Sequence, residues 1–198
     1  MISTTTSKPL ILASSSPYRR ELLERLGLHF EVISPEVDEA AETAPDADTL
    51  SRRLALAKAR AVAAEHPGAV VIGSDQVAEC DGRRLGKPGS VERAVEQLEF
   101  TSGCEVTFHT AVAVLAGEFE ECRGVPTRVR MRALTPQRIH AYVRADRPLN
   151  CAGALKSESL GIALARSMTS DDPTALVGLP LIATAELLER AGLTILPG

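Results

Sequence analysis

A mixed α/β sheet flanked by helices is the fold this 198-residue chain predicts, on three observations. Short apolar runs alternate with amphipathic stretches, as in crossover-connected strands. Hairpin signals fall among those crossovers, so parallel and antiparallel pairs should share one twisted sheet. The composition, 44% hydrophobic and 24% charged, is that of a chain able to bury a core. No repeat, low-complexity tract or linker interrupts it, and its length suits a single domain over 1–198.

Leu10-Ile11-Leu12-Ala13 reads as a short buried strand. Ser16 as N-cap and Pro17 at the first helical position then start a helix, with Leu22, Leu23 and Leu26 on its apolar side and Gly27 as its stop. A second strand is predicted over 29–33. Over 48–64, Leu50, Leu54, Ala57 and Ala61 recur at helical spacing, with Arg52, Arg53 and Arg60 outside the stripe and Lys58 at its border. Ala69-Val70-Val71-Ile72 suits a fully buried strand that ends in Gly73-Ser74-Asp75-Gln76. Asp81-Gly82 marks a hairpin, 92–100 a helix, and 105–115 with 120–134 two long strands around Gly117. A helix should follow Thr135-Pro136. The segments 150–158 and 172–180 read as loops with short strands, and 181–191 as a closing helix with Leu187 and Leu188 inward.

The formal charge of −4 and pI near 5.6 provide no general field for polyanions, which argues against long nucleic acid as a partner. A single-stranded nucleic-acid binder would also need stacking aromatics, yet these are 3% of the chain with no Trp. A small anionic ligand needs only a few gathered cations. Cys80, Cys104, Cys122 and Cys151 are widely spaced and the four histidines show no ligand spacing, which predicts reduced thiols and no structural zinc. The N-terminus is polar and the first apolar run too short for a signal or membrane segment, so a cytoplasmic location without membrane contact is expected.

Ser14-Ser15-Ser16-Pro17-Tyr18-Arg19-Arg20 brings hydroxyls, helix N-terminal amides and two guanidinium groups into one turn, a combination suited to polyphosphate. Alone, it equally describes a capped surface helix. Asp75 stands where α/β sheets place ligands, as a base or metal ligand, against the plain alternative of a turn cap. Gly86-Lys87-Pro88 fixes a lysine between a flexible and a rigid residue and suits a point charge aimed at phosphate. Glu36, Asp38 and Glu39 form an acidic run able to hold Mg²⁺ or to remain a solvated loop. No GxxxxGK[ST] is present, so phosphates would be held by dispersed cations.

Together, Leu10-Ile11-Leu12-Ala13-Ser14, the Ser-Pro-Tyr-Arg-Arg start, Gly73-Ser74-Asp75, Gly86-Lys87-Pro88, Ala152-Gly153-Ala154 and Val177-Gly178-Leu179-Pro180-Leu181 resemble the Maf-like nucleotide pyrophosphatases over nearly the whole chain. The resemblance implies two lobes around a central cleft and hydrolysis of a nucleoside triphosphate to the monophosphate and pyrophosphate. It implies Asp75 as catalytic carboxylate, Ser14, Arg19, Arg20, Lys58 and Lys87 as phosphate-handling residues, and Glu39 with Asp75 at a Mg²⁺ or Mn²⁺ site. Tyr18, Gln76 and Glu158, in Ser16–Arg20, Ser74–Gln76 and Lys156–Glu158, look like the 7-methyl-GTP branch; the dTTP/UTP branch usually carries Arg, Thr and Gln there. A 7-methylguanine ring is cationic, so the Tyr18 face favours it by roughly 0.5–2 kcal/mol. A carboxylate at Glu158 suits the paired N1–H and N2–H donors of guanine. The branch usually has Trp at Tyr18, Gly at Ser159 and an acid at Ala57. The alternatives are a dTTP/UTP pyrophosphatase or a non-catalytic nucleotide-binding regulator of septum formation. Homodimers are familiar in the family.

Overall fold

The computed structural model describes residues 8–196. The strands are β1 (Leu10–Ala13), β2 (Glu31–Ile33), β3 (Val70–Cys80), β4 (Arg83–Leu85), β5 (Glu105–Ala116), β6 (Phe119–Met131) and β7 (Ala165–Ser170). The helices are α1 (Pro17–Glu24), α2 (Ala47–Glu65), α3 (Val91–Thr101), α4 (Pro136–Asp146) and α5 (Leu181–Arg190). The sheet order is β2-β1-β3-β5-β6-β7, with β4 added to β3. β1 runs parallel to β2 and β3, whereas β4 on β3 and β7 on β6 are antiparallel, so the sheet is mixed, as predicted. No helix among the described residues is long and apolar enough to cross a membrane.

The chain forms two compact units. The first takes the residues up to Asp75, Thr110–Val125 and those from Asp172 on. β1 and the start of β3 are buried throughout, on both faces of the sheet, which is why they read as continuous apolar runs. Leu10, Leu12, Val70 and Ile72 pack with Leu22 and Leu23 of α1 and Leu187 and Leu188 of α5. Their alternates Ile11, Ala13 and Val71 pack with Ala55, Ala59 and Val62 of α2. The period-2 pleat thus assigns each helix to one face.

α2 lies on this sheet without a gap. A Cβ at Gly73 would fall 2.3 Å from the Ala55 carbonyl oxygen and 2.7 Å from the Ala59 nitrogen. Only glycine permits that approach. The buried face of α2 is Ala47, Ser51, Leu54, Ala55, Lys58, Ala59 and Val62. It is turned from the predicted stripe because alanines flank it on both sides and carry little directional signal. Lys58 therefore sits within the buried face, not at its border.

The second unit takes Gln76–His109 and Pro126–Asp171. Its core includes Leu85, Leu98, Val106, Phe108, Ile139 and Val143, with α3 packed on α4. Asp81 and Gly82 both have positive φ, 48° and 74°, in the two-residue turn joining β3 to β4. The Asp-Gly signal predicted that hairpin.

Candidate active site

Asp75 was expected at a strand end, but β3 continues through it to Cys80. Ser74-Asp75-Gln76 interrupts an apolar pattern without ending the strand, because its polar side chains find partners. Ser74 Oγ, fully buried, lies 2.7 Å from the Ala111 carbonyl and 3.0 Å from the Gly178 carbonyl, sharing its proton between them. Asp75 accepts a 2.6 Å hydrogen bond from Lys58 Nζ.

That pair is buried: the Lys58 and Asp75 side chains are 8% and 9% exposed. Lys58 Nζ also lies 2.7 Å from Glu39 Oε1, whose side chain remains 58% exposed. One ammonium thus joins an interior carboxylate to one that opens to solvent. Gly73 is the cause, since the contact it allows between α2 and β3 brings Lys58 within reach of a residue two positions further along the strand.

Arg19 occupies the first turn of α1. Its amide is capped by Ser16 Oγ at 3.4 Å, so the sequence's N-cap forms. Its Nε donates to the Gly178 carbonyl at 2.8 Å and its Nη1 lies 3.5 Å from Ser14 Oγ, which also accepts from the Ser16 amide at 3.1 Å. Burial pushes the guanidinium below its ordinary pKa while the charges of Asp75 and Glu39 draw it back up. Even lowered, an arginine stays protonated near neutral pH. Arg19, Glu39, Lys58 and Asp75 therefore form one electrostatic group of two cations and two anions, with the neutral Ser14 hydroxyl beside Arg19.

Arg20 stands apart from this group: it is exposed and donates to Glu24 at 3.0 Å, one turn along α1. Tyr18 is half-buried on the same helix. Sequence reasoning assigned no role to Gly178 or Ser74 in holding Arg19. The signal available was a glycine in the Val-Gly-Leu-Pro-Leu tail; at φ 127° its backbone favours a residue without Cβ.

In the second unit, Lys87 is exposed on a segment held at Gly86, whose carbonyl accepts from Gln97 Nε2 at 3.2 Å and from the Gly153 amide at 3.4 Å. Gln76 is half-buried on β3. Glu158 is exposed, and its neighbours are fixed. Tyr142 Oη accepts from the Lys156 amide at 3.0 Å and donates to the Ala154 carbonyl at 3.2 Å. Asp146 Oδ1 accepts from Ser159 Oγ at 2.7 Å and faces Lys156 Nζ at 3.7 Å. Ser159 thus supplies a link that a glycine there would lack.

A family model described as Maf-like protein matches residues 9–191. The chain is similar to a 7-methyl-GTP pyrophosphatase of Polaromonas sp., 56% identical over 97% of this chain and 89% of that one. It is 57% identical to a 7-methyl-GTP pyrophosphatase of Bordetella pertussis, over 96% of this chain and 95% of that one. A nucleoside-triphosphatase / dITP/XTP pyrophosphatase of solved structure from Mycobacterium abscessus is 20% identical, with a TM-score of 0.42 over 71% of this chain and 96% of that one, too distant to bear on the argument. A family match that spans β1 through α5, on relatives sharing more than half their residues along most of their length, leaves one assignment: the chain belongs to the Maf-like protein family.

Proposed function

We propose that this protein hydrolyses 7-methyl-GTP to 7-methyl-GMP and pyrophosphate, with Asp75 as its catalytic carboxylate. The observation that carries the reading is Lys58 Nζ held between buried Asp75 and solvent-open Glu39, beside Arg19. Lys58 supplies the counter-charge that a carboxylate buried as deeply as Asp75 requires. Asp75 orients a water for attack on the α-phosphorus and accepts its proton. Arg19 and Ser14 hold phosphate oxygens, while Lys58 opposes charge on the leaving pyrophosphate. Arg20 and Lys87 add exposed cations for the polyphosphate.

Asp75 and Glu39 also suit a divalent cation. Two carboxylates sharing one ammonium are too few donors for an all-protein cage and fit Mg²⁺ or Mn²⁺, which retain waters and take phosphate oxygens. When bound, such an ion supplies charge neutralisation and lowers the pKa of a bound water. Tyr18 and Glu158 are assigned the base by the chemistry of a cationic ring and paired donors, and Gln76 completes the proposed specificity set. The relatives named 7-methyl-GTP pyrophosphatase support this branch.

The test is product release from 7-methyl-GTP, GTP, dTTP, UTP and ATP with Mg²⁺ or Mn²⁺ and after chelation. Pyrophosphate as first product, preference for 7-methyl-GTP and loss of turnover on chelation are expected. Orthophosphate as first product or full turnover without metal would sink the mechanism; preference for dTTP or UTP would move the protein to the other branch.

A further inference from the structure

We propose that Cys80, Asp81 and Cys104 form a binding site for a thiophilic divalent cation of the zinc class. Their two Sγ atoms and a carboxylate oxygen lie within 4.8 Å of one another. Twenty-four positions of sequence separate the thiols, which is why no CxxC spacing announced them; the fold closes that distance within the second unit. None of the three is assigned to nucleotide chemistry.

Each donor has its own anchor. Cys80 ends β3 in register with Arg83 of β4. Asp81 follows in the turn with φ 48°, a conformation that an aspartate tolerates better than most residues. Cys104 occupies the turn from α3 to β5, where its amide donates to the Thr101 carbonyl at 3.1 Å and its carbonyl accepts from the Met131 amide at 2.8 Å. The backbone at all three donors is therefore fixed before any ion arrives, which limits the ordering cost of binding.

The donor chemistry selects the ion. Thiolates favour zinc-class ions over Mg²⁺, and Zn–S bonds of about 2.3 Å set tetrahedral S···S distances near 3.8 Å, within side-chain rotation of this cluster. Three protein donors leave a fourth position for water. Cys80 is buried, Cys104 half-buried and Asp81 exposed, so the ion has an entry from the turn. Without an ion, burial pushes the Cys80 thiol up to about 11, and Cys104 and Asp81 add to that shift. Binding replaces the two thiol protons by the cation and releases them to solvent.

The experiment titrates the reduced, chelator-stripped full-length protein with Co²⁺ in excess Mg²⁺, which keeps oxygen-only sites filled, followed by Zn²⁺. One equivalent of Co²⁺ should produce thiolate-to-cobalt charge-transfer absorption that Zn²⁺ abolishes. Cys104→Ser should remove the band. Asp81→Asn, which keeps the turn, should weaken binding by at least the roughly 10- to 100-fold that even loss of an outer-shell partner costs. Cys122→Ser and Cys151→Ser should leave it unchanged. Absence of the band in the wild type, its survival in Cys104→Ser, its loss in either control, or unchanged affinity in Asp81→Asn would overturn the proposal.

Discussion

Lys58–Asp75 and the segment around Glu158 fix the two carboxylates proposed for catalysis and base recognition in opposite ways. Asp75 is locked directly: it is buried in a strand, its oxygen bonded to a lysine from a helix that glycine lets approach. Glu158 is exposed and is positioned through its neighbours, with Tyr142 holding Lys156 and Asp146 holding Ser159. A group that must keep its charge in the interior needs a counter-charge. A group that meets ligands from solvent needs only a fixed backbone, and it can vary without endangering the core.

The contrast breaks hardest at Lys58. Lys58→Met leaves Asp75 buried without its ammonium and should cost about 3–5 kcal/mol of stability, measured by urea unfolding, together with most turnover. A loss below about 1 kcal/mol would show that Asp75 does not depend on the pair. Tyr142→Phe acts on the other region: the Lys156 amide and Ala154 carbonyl lose their shared partner, a cost of about 1–3 kcal/mol. Preference for 7-methyl-GTP over dTTP should fall while kcat on 7-methyl-GTP holds; a fall in kcat with selectivity intact would reverse the division of labour.

Arg20 gives the smallest effect. Its exposed pair with Glu24 is worth little, so Arg20→Ala should change stability by less than about 0.5 kcal/mol. As a phosphate contact it should raise KM by about 2- to 5-fold, on the order of 0.5–1 kcal/mol, with kcat retained. An unchanged KM removes Arg20 from the phosphate set.

Local chemistry was legible in the sequence. Ser16 and Pro17 announced α1, and Asp81-Gly82 announced the hairpin, because caps and two-residue turns are decided by adjacent residues. Resemblance singled out Asp75 and Lys58 as candidates, but their contact was not legible. It depends on Gly73 meeting the backbone of Ala55 and Ala59, a relation between elements that no period records. For the same reason β3 was expected to stop at its polar residues: Ser74 is satisfied by carbonyls at positions 111 and 178, remote in sequence. The anchoring of Arg19 on Gly178 spans 159 positions and was equally hidden.

The most direct measurement is pyrophosphate release from 7-methyl-GTP by Asp75→Asn beside the wild type, with nucleotide affinity measured on the same preparations. The substitution keeps the side chain's shape and removes its charge. Turnover should fall by about 10²-fold or more while binding and folding persist. Turnover near the wild-type level, with unchanged metal dependence, would contradict Asp75 as the catalytic carboxylate.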